Sequence, residues 1–157
     1  RRKSTKLEDK SCTVKKSTVR NELSEGTQGV LADESPYDFN IETNGTIIPS
    51  FHRDNVWFTY DYKTPSSLAE ESMDLDIFKV STRQDLIKFV VGSVEDLDCM
   101  RRIINEHPTK AQIYVSPVWG KIEAASIIDY MKTYNLQNVR FQLQIHKFVW
   151  DPDAKGV

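Results

Sequence analysis

Cysteine is scarce in this sequence of 157 residues: Cys12 and Cys99 are the only two, far apart and with no CxxC spacing. That excludes a disulfide-stapled secreted scaffold, and no metal cluster can be built from two thiols alone. Long apolar runs are missing as well, since nothing approaches the roughly 18 residues that a membrane span needs. Arg1-Arg2-Lys3 leads into polar residues instead of the apolar core of a signal peptide, so a cytoplasmic protein is expected. Asn44-Gly45-Thr46 spells a glycosylation sequon, which outside a secretory context reads as a turn. Neither sign of charge dominates, because 21 Lys and Arg against 23 Asp and Glu leave a net charge of -2. A nucleic-acid partner is therefore not implied, and a small-molecule ligand fits better.

Aromatic residues are absent from residues 1–34, and the first twenty residues carry eight Lys and Arg against two Asp and Glu. Such a composition is solvated and packs poorly, so residues 1–35 are expected to form a polar leader, disordered or atypical. One domain is expected over residues 36–157, where short β-rich runs alternate with helical patterns.

Asp38-Phe39-Asn40-Ile41-Glu42 alternates polar with apolar and stops at a Thr-Asn-Gly turn, which predicts a first strand. Val56-Trp57-Phe58-Thr59-Tyr60-Asp61-Tyr62 is β-branched or aromatic nearly throughout and predicts a second, buried on both faces. A short helix is expected over residues 68–75, and a third buried strand at Leu86-Ile87-Lys88-Phe89-Val90-Val91. Ser93 and Asp96 resemble a capping box, after which Val94, Leu97, Met100, Ile103 and Ile104 recur at helical spacing up to Pro108. A strand over residues 111–115, a helix over 122–134 and a fifth strand over 139–145 complete the pattern. Strands alternating with helices imply parallel pairing in a barrel or an open sheet.

In parallel α/β folds ligands lie off the carboxyl ends of the strands. Here those ends bring carboxylate, amide, hydroxyl, ammonium, aromatic and imidazole groups, a mixture suited to a polar ligand with an adenine-like or pterin-like ring. Each residue taken singly has a structural reading: Asp61 and Lys63 pair with neighbours, and Trp119 caps the core as readily as it stacks on a ring. Lys88, an ammonium inside an apolar run, needs a partner, which Asp61 or Glu42 could supply.

The ordered set Ile41-Glu42-Thr43-Asn44-Gly45, Asp61-Tyr62-Lys63 leading to Pro65-Ser66-Ser67, Lys88-Phe89-Val90-Val91, Ser116-Pro117-Val118-Trp119-Gly120, and Gln142-Leu143-Gln144-Ile145-His146-Lys147 with Trp150 and a Lys155-Gly156-Val157 terminus resembles 7-carboxy-7-deazaguanine synthase over residues 38–157. The resemblance implies the C-terminal part of an incomplete radical S-adenosylmethionine α/β barrel with parallel strands. The cofactors it implies are S-adenosylmethionine, a [4Fe-4S] cluster and Mg²⁺. The reaction it implies is a lyase-class radical ring contraction in queuosine biosynthesis. In it, 6-carboxy-5,6,7,8-tetrahydropterin becomes 7-carboxy-7-deazaguanine with loss of ammonia, with a reducing electron donor as partner and a homodimer as the intact form. By the same resemblance Glu42, Asn44, Asp61, Tyr62, Lys63, Ser116, Pro117, Val118 and Trp119 contact S-adenosylmethionine, and Gln144 and His146 face the pterin.

The family's cluster cysteines and its Gly-Gly-Glu segment precede the Glu-Thr-Asn-Gly strand, and residues 1–37 contain neither. No catalytic or metal-ligating residue is therefore assigned, and this chain alone is expected to be inactive. Two other classes compete: a non-catalytic module binding S-adenosylmethionine or a nucleotide, and a structural α/β domain that pairs with another chain.

Overall fold

The computed structural model describes residues 37–152. The leader expected over residues 1–35 and the Lys155-Gly156-Val157 terminus lie outside them. Five strands form one sheet in the order β1-β2-β3-β4-β5: β1 Phe39–Thr43, β2 Val56–Tyr62, β3 Leu86–Val91, β4 Gln112–Pro117 and β5 Val139–Phe141. Every neighbouring pair is parallel. Parallel crossovers are right-handed almost without exception, so an unbroken consecutive order sends every connection over the same face. The α/β class and barrel-type winding expected from the sequence are thus what is observed.

Burial follows that topology. Ile41 is level with Phe58, Tyr60 with Ile87, Tyr62 with Phe89, and Ile87 and Phe89 with Ile113 and Val115. All are buried, and all belong to one cluster with Ile77 and Phe78 of α1 (Ile77–Val80), Leu97, Met100 and Ile103 of α2 (Val94–Glu106) and Ile127 of α3 (Ala124–Thr133). Each large apolar side chain so buried contributes about 1.5–3 kcal/mol. The intervening residues, among them Glu42, Thr59, Asp61, Lys88, Tyr114 and Arg140, share the opposite, polar face. Strands β2 and β3 are therefore not buried on both faces as their apolar texture suggests. In β3, Leu86, Lys88 and Val90 are half-buried while Ile87, Phe89 and Val91 are fully buried.

Two expected elements differ. Residues 68–75 form no α-helix: Leu68 takes a left-handed conformation (φ 55°) and is almost wholly exposed. Short 3-10 turns at Pro65–Ser67 and Glu70–Ser72 flank it. Side chains of α2 hold this segment from outside, because Asp96 binds the Ser66 amide (2.9 Å) and Arg102 binds Glu70 (3.2 Å). The fifth strand ends at Phe141 instead of continuing to residue 145. As an edge strand it has one neighbour, and past Gln142 the backbone closes on itself through bonds such as Trp150 N–H to His146 O (3.0 Å), forming α4 (His146–Val149). The alternation of Leu143 and Ile145 with Gln144 and His146 is consequently not expressed as strand faces.

The turn after β1 depends on Gly45, whose φ of +70° is a conformation that L side chains rarely adopt. A Cβ there would stand 2.5 Å from the Met73 methyl group, which has to swing away. Met73 also accepts the Lys63 N–H at its sulfur (3.4 Å), so the displacement is passed to the loop after β2. Gly45→Ala is expected to lower stability by about 1–2 kcal/mol through backbone strain, read as a lower urea midpoint at unchanged slope. An unshifted midpoint would show that the turn tolerates a side chain.

Candidate functional site

At the carboxyl ends of β1, β2 and β3 the polar face opens into a cavity of about 430 Å³. Glu42, Thr59, Asp61, Lys63, Thr64, Lys88, Val118 and Gln144 are among the residues that line it. Strand register explains the convergence, since Glu42 is level with Thr59 and Asp61 with Lys88. Six of the residues that the resemblance assigns to ligand contact, Glu42, Asp61, Tyr62, Lys63, Val118 and Gln144, border this one cavity, together with Lys88.

Their availability differs. Lys63 Nζ forms an ion pair with Asp61 Oδ2, so each of the two supplies the other's neighbour in the structural reading. Tyr62 borders the cavity, but its ring belongs to the core face, 4.7 Å from Phe89, where burial pushes its hydroxyl up to about 12. Glu42 is exposed and its carboxylate makes no hydrogen bond with any described residue. Lys88 is half-buried and does not reach Asp61 or Glu42 within ion-pairing distance.

The remaining sequence-selected residues stand outside the lining. Asn44 spends its side-chain oxygen within its own turn, accepting from Thr46 N (3.2 Å) and Thr46 Oγ1 (2.9 Å). Ser116 is level with Val90, which lines the cavity, and its fully buried hydroxyl has no hydrogen-bond partner among the described residues. Pro117 ends β4, level with Val91 on the core face. Trp119 is exposed and stands edge-on to Phe148 at 4.7 Å. His146 begins α4 and is exposed.

Sequence reasoning missed how the cavity wall is held. Asp96 is fully buried, and its carboxylate accepts from Gly92 N (2.7 Å) and Ser66 N (2.9 Å). It thereby ties the end of β3 to the loop after β2, where Thr64 Oγ1 also donates to Val90 O (3.2 Å). The expected capping box exists in its Ser93 half only, Ser93 Oγ accepting from Asp96 N at 3.3 Å. The signal available in the sequence was an acidic residue in the first turn of a helix, which does not reveal its partners.

No family model and no solved structure matches the chain. It is similar to the 7-carboxy-7-deazaguanine synthase of Clostridium acetobutylicum, 37% identical over 92% of this chain and 72% of that protein. The synthase of Methanospirillum hungatei is 37% identical over 72% of this chain, and that of Leptospira interrogans 33% identical over 74% of it. The matches span 47% and 50% of those two proteins.

Proposed function

The chain belongs to the 7-carboxy-7-deazaguanine synthase family, and from that premise we propose that its pocket binds S-adenosylmethionine in an enzyme that converts 6-carboxy-5,6,7,8-tetrahydropterin to 7-carboxy-7-deazaguanine with loss of ammonia. The observation that carries this is the meeting of Glu42, the Asp61–Lys63 pair and Lys88 in one cavity at the carboxyl ends of three parallel strands. A carboxylate accepts both hydroxyls of a ribose, and an ammonium answers the carboxylate of an amino acid. The volume lies within the range of sites for ligands of this size. Val118 and Trp119 belong to the nucleoside end of this reading, and Gln144 and His146 to the pterin.

The same residues do not fit the metal cofactors. Among the described residues no three His, Cys, Asp or Glu side chains are grouped to hold a metal ion. Cys99 is buried in α2, its thiol pushed up to about 12 by burial and then by the Glu70 carboxylate that it bonds at 3.1 Å. A single thiol engaged by Glu70 does not supply the several thiolates that an iron–sulfur cluster takes. No step through a [4Fe-4S] cluster or Mg²⁺ is therefore derived from these residues, and the chain by itself is proposed to bind without turnover. In the intact enzyme a reducing donor and a homodimer belong to the proposal.

Calorimetric titration with S-adenosylmethionine tests the pocket. Saturable binding is expected, weakened about tenfold or more by Glu42→Ala through the lost charged hydrogen bonds. A flat titration at millimolar ligand would sink the reading and leave the structural domain as the better account.

A further inference from the structure

The pocket contains two ammonium groups, and their surroundings are unequal. Lys63 is three-quarters buried along its side chain and closed onto Asp61. Lys88 is directly across from Asp61 in the β2–β3 register and shares its face, yet the Asp61 carboxylate turns to Lys63. On the other side Lys88 is level with Tyr114, whose hydroxyl is taken by Arg140 Nη1 (3.2 Å). Glu42 points into the same cavity without bonding Lys88. The Lys88 ammonium thus makes no hydrogen bond or ion pair with any described residue, although the side chain is half withdrawn from water.

Among the described residues an ammonium in that position loses hydration without gaining an anion, a cost that a ligand carboxylate would offset. The neighbouring carboxylates set the limit on what that ligand is. Asp61 is neutralised by Lys63, so a single negative charge at Lys88 meets no net repulsion from the pair, while Glu42 favours a neutral or cationic group farther along the ligand. We infer that Lys88, and not Lys63, is the residue that anchors a ligand carboxylate in this pocket, the ligand being a monocarboxylate whose remaining part is polar and uncharged or cationic. The inference rests on the pocket being the ligand site proposed above. Both S-adenosylmethionine and the carboxypterin carry such a carboxylate, and the Asp61–Lys63 pair is left as an internal brace of the loop after β2.

Titrations of the whole chain with four probes test this: S-adenosylmethionine, its decarboxylated form, pterin-6-carboxylate and pterin. The native chain is expected to favour one carboxylated probe over its partner by about 30-fold, the worth of a charged hydrogen bond. Lys88→Met is expected to abolish that preference and Lys88→Arg to retain most of it, whereas the double replacement Asp61→Asn with Lys63→Met, which changes the pocket wall, is expected to weaken both members of a probe pair alike and keep their ratio. Which pair of probes shows the preference identifies whether the cofactor or the substrate supplies the carboxylate. Thermal unfolding of each variant separates a fold defect from a binding defect. A preference that survives Lys88→Met, or that disappears in the double variant, overturns the assignment while the pocket reading stands. A native chain that binds none of the four probes overturns both.

Discussion

Replacement of Asp85 by Ala is expected to destabilise the fold by about 4 kcal/mol, because it leaves several donors without an acceptor. Asp85 is buried just ahead of β3, away from the pocket, and both its oxygens accept hydrogen bonds. Oδ1 accepts the buried Phe58 N–H (2.8 Å), and Oδ2 accepts both the N–H (2.6 Å) and the hydroxyl (2.9 Å) of Thr82. Its backbone carbonyl also accepts Gln112 N–H (3.0 Å) at the start of β4. One side chain thus joins β2 to the turn that launches β3. Asp85→Asn is expected to fare nearly as badly, since an amide offers one oxygen and turns its NH₂ toward a donor. Urea unfolding followed by the fluorescence of Trp57, Trp119 and Trp150 measures the effect. A loss below about 1 kcal/mol would mean that water replaces the carboxylate.

The second large effect is expected at Asp96, and it depends on pH. Burial opposes ionisation of this carboxyl, but the N–H groups of Gly92 and Ser66 outweigh it and hold its pKa below the ordinary range. A carboxyl whose folded pKa is depressed contributes stability that is fully present above its unfolded pKa, near 3.9, and is lost as pH falls through the folded value. Native stability should therefore decline as pH drops below about 4. Asp96→Asn should be less stable by about 3 kcal/mol at neutral pH and should decline less steeply in acid. Parallel slopes for the two proteins would show that Asp96 titrates alike in the folded and the unfolded chain. Because Asp96 holds the Thr64-to-Ser67 wall of the pocket, ligand affinity should decline with it.

Where local pattern and tertiary demand agree, the fold was legible. The spacing of Leu97, Met100, Ile103 and Ile104 names the buried stripe of α2 correctly, and the apolar runs place β2, β3 and β4. Misjudgements arose where partners distant in sequence decide the outcome. Leu68 and Leu75 have a spacing that suits a helix, yet that segment is shaped by Asp96, Cys99 and Arg102, which lie roughly a helix length or more farther along the chain. Gln142 to His146 alternate like a strand but have only one neighbour to pair with. The carboxyl-end rule selected Glu42, Asp61, Lys63 and Gln144, which border one cavity. It could not reveal that Asn44 is spent on its own turn or that Asp61 prefers Lys63 to Lys88, because both are choices among competing hydrogen bonds.

The interleaving of the two sheet faces has a consequence for how such a chain can change. Along β2 and β3 a residue that supports the helix layer is followed at once by one that lines the cavity or its approaches. A single-residue insertion upstream within either strand would carry Asp61 or Lys88 into the helix layer and an aromatic or isoleucine side chain into the cavity. Strand length in this part of the molecule can therefore drift by two residues but not by one, and the freedom to lengthen by odd steps is confined to the loops.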